Sequence, residues 1–239
     1  MVLMNIHSLS LTLLLVMTLQ SSAVLAFRSV DSTQSTAGFR FDDSAANTQP
    51  VIEFRQHVHM LADVDDRLTM TIHGDGRVLV HYPVYMKRAG DYEMQLDKEE
   101  LVSLLSAMAA NGVMDFDAEK TRERIRGKRR AIHARAKAGK AELFEISDAV
   151  DSVIDVRLDE YRRNSAAAVN KNFSKRFHWQ NIEHDARRFS DEQAIVRASR
   201  SVTDLRRLMK DARLKRIKQS GQSLMKLPGQ QGAPQKGGR

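Results

Sequence analysis

The chain has 239 residues, 42% of them hydrophobic, enough for one folded domain with tails, and a formal charge of +8. It has no cysteine, which excludes disulfides, cysteine-ligated zinc, thiol catalysis and a lipidated cysteine anchor. Residues 118–142 hold ten Lys/Arg against three Asp/Glu, a net of +7, and residues 206–239 hold ten against one, a net of +9. The rest has 18 basic and 26 acidic residues, a net of −8, so the sequence describes an acidic body with two basic segments. A partner attracted by charge meets those segments first.

Residues 1–26 read as a secretory signal: an apolar run, LSLTLLLVMTL, then small residues ending at Ala26, with cleavage expected after Ala26. The run is short of the ~20 apolar residues of a spanning helix, so no transmembrane helix is expected after cleavage. Small secreted eukaryotic domains tend to carry disulfides. A cysteine-free exported chain therefore fits a bacterial envelope, with the periplasm as destination and secretion as the second choice. Residues 27–50 are rich in Ser, Thr, Gln and Asp and read as a flexible leader. A single domain is expected over residues 51–218, opening with a strand in VIEFRQHVHML.

The stretch LTMTIHGDGRVLVHY, residues 68–82, organises the domain as a hairpin. A three-residue Gly74-Asp75-Gly76 loop pairs His73 with Arg77, Ile72 with Val78 and Met70 with Val80, which gathers the apolar residues on one face. A two-residue loop would slip the register and mix the faces, so Gly76 is expected in a left-handed bulge conformation. Tyr92, Met94 and Leu96 alternate in a further strand. Asp97 and Glu100 then form a capping box for a helix ending before Gly112, with Leu101, Leu104, Leu105 and Met108 on one face.

In residues 118–142 only Ile125 and Ile132 are large and apolar. This predicts an exposed arm, partly helical and frayed at Gly127 and Gly139. A second hairpin is expected from ELFEIS and SVIDVRLDEY, residues 142–147 and 152–161, and residues 162–177 read as irregular and polar. Trp179 is expected to anchor a short helical turn near His184-Asp185-Ala186. A long helix from Ser190, capped by Ser190 and Gln193, carries Ile195, Ala198, Val202, Leu205 and Met209 and frays over residues 210–216. Residues 219–239 read as a disordered basic tail. The fold class is α+β: an antiparallel sheet of hairpins packed on one face by two main helices.

The order of these parts resembles a group of uncharacterised bacterial exported domains. The residues that carry the resemblance are the G-D-G-x-V turn at 74–78, the glycine turn and strand at 90–96, and the E-E-L-x-x-L-L helix ending at Gly112. A V-x-D-x-R-L-D strand at 153–159 then precedes a tryptophan and a final helix. The resemblance implies the fold and the exported location, over residues 51–117 and 143–213, and brings no assigned activity. The basic arm departs from it.

Several constellations compete for chemistry. His57 and His59, two apart on a strand, point the same way and, with Asp63, Asp65 or Asp66, would make a nitrogen and oxygen metal site. The plain alternative is two surface histidines. Gly74-Asp75-Gly76 lacks the helix that a phosphate cradle needs. Ser223 and Lys226 match S-x-x-K but lie in the tail without its partner motifs. Asn172-Phe173-Ser174, a glycosylation sequon, and Arg126-Gly127-Lys128-Arg129, a convertase site, matter only in a eukaryotic secretory route. Asp155 and Asp159, beside Arg157, read as a solvated strand face.

The arm carries the functional expectation. Arg122, Arg124, Arg126, Lys128, Arg129, Arg130, Arg135 and Lys137 are candidates to contact an anionic lipid, lipopolysaccharide or an acidic protein. The competing reading folds the arm back on the acidic body. Nucleic acid is disfavoured, because no aromatic residue interleaves the arm to stack on bases. The sequence thus predicts an exported, non-enzymatic binding or accessory protein of the bacterial envelope, without cofactor. The alternative is a metal-binding protein or enzyme centred on His57 and His59.

Overall fold

The Gly74-Asp75-Gly76 turn forms as the hydrophobic pattern requires. In a computed structural model, which describes residues 37–58, 67–138 and 150–218, Met70 pairs with Val80 and Ile72 with Val78. The His73 amide donates to the Arg77 carbonyl at 2.9 Å, and Gly76 has φ +85°. The turn is wedged between two neighbours. A Cβ at Gly74 would lie 1.9 Å from the Asp42 carbonyl oxygen, and one at Gly76 would lie 2.2 Å from that of Leu96. No side chain fits either place.

The strands are β1 (Gly38–Arg40), β2 (Ile52–Val58), β3 (Leu68–Ile72), β4 (Arg77–Tyr82), β5 (Gly90–Gln95), β6 (Val150–Arg162), β7 (Asn170–Gln180) and β8 (Lys215–Arg216). They form one antiparallel sheet, consistent with the α+β expectation. Its long member is β6. One edge of β6 carries β2 and then β1, the other carries β7, and β3, β4, β5 and β8 follow β2. The helices are α1 (Lys98–Ala110), α2 (Ala118–Lys137), α3 (Ile182–Arg188) and α4 (Gln193–Leu208).

Strand alternation sends Ile52, Phe54, Met70, Ile72, Val78, Val80, Met94, Ile154, Val156, Phe177 and Trp179 into the core. Glu53, Arg55, Thr69, Thr71, His81, Asp155 and Arg157 alternate with them on the other face. Helix α1 keeps its capping box, and Leu101, Leu104, Leu105 and Met108 are all buried. Gly112, at φ +72°, ends it, with Val113 N donating to Met108 O at 3.0 Å. The stripe Ile195, Ala198, Val202, Leu205 of α4 is buried as expected.

Several local expectations differ: β1 lies within residues 27–50, read as a flexible leader, and pairs with β6, and Asp155, read as part of a solvated face, is buried beside Arg157, which donates to it at 2.7 Å. The hairpin partner of β6 is β7, within a stretch that reads as irregular; residues 142–147 lie outside the described residues, as do residues 1–36, His59, Asp63, Asp65, Asp66 and residues 219–239. Being an edge strand, β7 is exposed along most of its length, so charged and amide side chains fill it and hide its alternation. Helix α4 starts at Gln193 rather than Ser190, with Glu192 at the cap position making no side-chain cap bond, since its carboxylate is engaged elsewhere. After α4 the chain turns at Asp211, whose carboxylate accepts the Arg213 amide at 2.8 Å, and reaches the edge of β5 as β8.

Candidate functional site on the basic helix

The basic arm is one helix over 20 residues and runs unbroken through Gly127. Asp117 caps it by accepting the Lys120 amide at 2.9 Å, and the Thr121 hydroxyl donates to the Asp117 carbonyl at 2.7 Å. Arg135 and Lys137 in its last turn complement the helix dipole. Thr121 and Ile125 are buried, and Ile132 packs partly against the core. That seam is thin, yet it holds because arginine side chains widen it. The Arg122 guanidinium lies 5.2 Å from the Trp179 ring centre, and that of Arg129 lies 5.9 Å from that of Phe189.

Carboxylates of α3 and of the loop after it take the flanking cations. Asp185 is buried at 2% exposure and uses both oxygens: Arg129 Nη2 donates to one at 2.6 Å, and the Trp179 indole N–H donates to the other at 3.0 Å. Arg124 grips Glu192 with two bonds, Nε to Oε2 at 2.9 Å and Nη2 to Oε1 at 2.7 Å. Lys128 Nζ donates to Asp191 at 2.7 Å. Arg122 donates to Glu119 and to the His178 carbonyl of β7. The hydrogen bond from Lys128 holds the Asp191 carboxyl below the usual carboxylate range, and that from Arg124 does the same for Glu192.

So four of the eight expected cations, Arg122, Arg124, Lys128 and Arg129, are spent inside the protein. The other four differ. Arg126, Arg130, Arg135 and Lys137 are exposed and make no hydrogen bond or ion pair among the described residues. Arg126, Arg130, His133 and Lys137 recur at helical spacing and line one face, turned away from the seam. Arg135 stands on the flank of Lys128, one heptad on. The second basic segment divides likewise. Arg206 pairs with Glu183 at 2.7 Å, and Arg213 with Glu100 at 2.9 Å, whereas Lys210, Lys215, Arg216 and Lys218 are exposed.

The histidine alternative finds other neighbours than those expected. His57 stands on β2 opposite Asp151 of β6, and His178 Nε2 lies 3.1 Å from Asp151. Among the described residues no three His, Asp or Glu side chains are placed to hold a metal ion. Sequence reading does not find the acceptors Asp185, Asp191 and Glu192. The available signal is that Asp185 follows Trp179 by six residues, close enough for a short helix to return it to the indole.

Among the described residues no helix is long and apolar enough to cross a membrane. Compared with known protein families, curated proteins and solved structures, the chain matches none of them.

Proposed function

We propose that this is an exported binding or accessory protein of a bacterial envelope, without chemistry of its own, that contacts an anionic surface through the outward side of α2. One observation carries this reading: Arg126, Arg130, Arg135 and Lys137 stay solvent-exposed with no carboxylate partner among the described residues, on a helix whose other face is fixed by carboxylates. The helix already orders the backbone that carries the four cations, so binding orders their side chains alone. Near an anionic surface each contributes about 1 kcal/mol, so together they supply about 4 kcal/mol, on the order of a thousandfold in affinity.

The test is cosedimentation with vesicles containing phosphatidylglycerol, against vesicles of phosphatidylcholine alone, over a range of salt. Binding to the anionic vesicles that weakens steeply with salt supports the proposal. Indifference to lipid charge, or unchanged binding by the Arg126→Gln, Arg130→Gln, Arg135→Gln, Lys137→Gln variant, contradicts it.

A further inference from the structure

Strand register places the β4–β5 loop and α3, to which α2 is bonded, at the same end of the sheet. Val58 pairs with Val150, Asp151 with Gln180, Gln56 with Leu68, and Tyr82 with Gly90, so β2, β4 and β7 all finish at that end. Helix α3 follows β7 there, and α2 is bonded to it at Asp185. The chain then leaves α2 and re-enters the sheet at Val150, again at that end.

The loop between β4 and β5 has an unusual tip. Val84 and Tyr85 are 73% and 44% exposed, and they are the exposed large hydrophobic residues among those described. Scattered single apolar residues on a surface need no explanation. Here two are adjacent at the apex of a fixed turn. Met86 N donates to Pro83 O at 2.9 Å, and Ala89 N to Met86 O at 3.0 Å, so two turns follow one another. Exposed Lys87 and Arg88 come next, and the Arg88 guanidinium rests 5.4 Å from the Tyr82 ring centre and 4.9 Å from that of Tyr92. The Tyr82 hydroxyl donates to the Met209 carbonyl and ties this base to the end of α4. At the same end the backbone continues from β8 through Ile217, whose amide bonds Asp91 O at 2.8 Å, into exposed Lys218.

We propose that the loop over residues 83–89 is a shallow membrane anchor: Val84 and Tyr85 enter the boundary between headgroups and acyl chains of an anionic phospholipid bilayer, while Lys87, Arg126, Arg130 and Lys137 lie on its phosphates. This rests on the electrostatic reading above and narrows its partner to a lipid bilayer. Tyrosine suits such a boundary, since its ring is apolar and its hydroxyl wet. From β4 to β7 is four strand spacings, about 19 Å, so one flat surface can meet loop and helix together. A folded acidic protein would be recognised by the cations alone and gives the protruding Val-Tyr pair no role.

The experiment introduces tryptophan into the full chain as Tyr85→Trp and, as control, as Ala166→Trp in the β6–β7 connection at the opposite end of the sheet. Native Trp179 is 3% exposed and bonded to Asp185, so it supplies a constant background. With phosphatidylglycerol vesicles carrying bromine on the acyl chains, the emission of Tyr85→Trp should shift to the blue and be quenched, and that of Ala166→Trp should not. Val84→Asp should bind these vesicles about tenfold more weakly, the effect of keeping one aliphatic side chain out of the acyl boundary, with an unchanged melting temperature. Salt-sensitive binding with neither quenching of Tyr85→Trp nor weakening by Val84→Asp overturns the anchor and leaves the electrostatic reading standing. Absence of binding by the unaltered protein both to vesicles and to a soluble acidic peptide overturns both. Binding to a soluble acidic peptide but not to vesicles overturns the anchor in favour of a protein partner.

Discussion

The two parts of α2 are both basic and live in opposite environments. In the first, Arg122, Arg124, Lys128 and Arg129 each meet a carboxylate or an aromatic ring, and Ile125 is buried at 2% exposure. In the second, Arg130, Arg135 and Lys137 face water, and Arg126 joins them by pointing away from the seam. The difference teaches that local charge does not assign a role. Asp185, Asp191 and Glu192, more than 50 residues away in sequence, decide which cations hold the fold and which remain available.

That contrast can be broken most severely at Asp185. Asp185→Ala leaves the Trp179 indole and the Arg129 guanidinium without their acceptor and is expected to cost about 3 kcal/mol in urea unfolding. A cost under about 1 kcal/mol would mean that the docked part is not held as described. The two isoleucines sharpen the comparison further. Ile125→Ala should cost about 2–4 kcal/mol by thermal denaturation, and Ile132→Ala, only partly buried, about 1 kcal/mol. Acid should separate the two parts more gently. Because Asp191 and Glu192 titrate below the usual carboxylate range in the folded protein, their contribution is complete above about pH 4 and is lost as pH falls through their lowered values. Amide protection factors over residues 118–129, corrected for the intrinsic pH dependence of exchange, should therefore fall on acidification below about pH 4 and stay flat from pH 5 to 7. The smallest effect belongs to the free side: neutralising Arg126, Arg130, Arg135 and Lys137 should change stability by less than about 0.5 kcal/mol.

The fold was legible where residues satisfy a local rule. The register at Gly74-Asp75-Gly76, the capping box at Asp97 and Glu100, and the stripes of α1 and α4 follow from periodicity and turn chemistry, and each forms. Strand β7 was not legible, because an edge strand buries few side chains, and Phe173, Phe177 and Trp179 alone show its alternation. The eight candidate cations of the arm were visible in sequence, but their division into docked and free was not. It depends on tertiary placement of Asp185 and Glu192, on which the spacing of the arm is silent. For the same reason, deleting residues 122–137 is a poor test of binding: it removes Ile125 and the partners of Asp185 and Glu192 together with the free charges.

The most direct measurement compares two variants of equal charge change for affinity to phosphatidylglycerol vesicles and for melting temperature. One replaces the free set, Arg126, Arg130, Arg135 and Lys137, with glutamine; the other replaces the docked set, Arg122, Arg124, Lys128 and Arg129. The first is predicted to lose binding by at least a hundredfold with its melting temperature unchanged, at about 1 kcal/mol per cation, while the second melts earlier and binds nearly as the unaltered protein does wherever it is folded. Equal loss of binding in both, or undiminished binding in the first, would contradict the division of labour along α2.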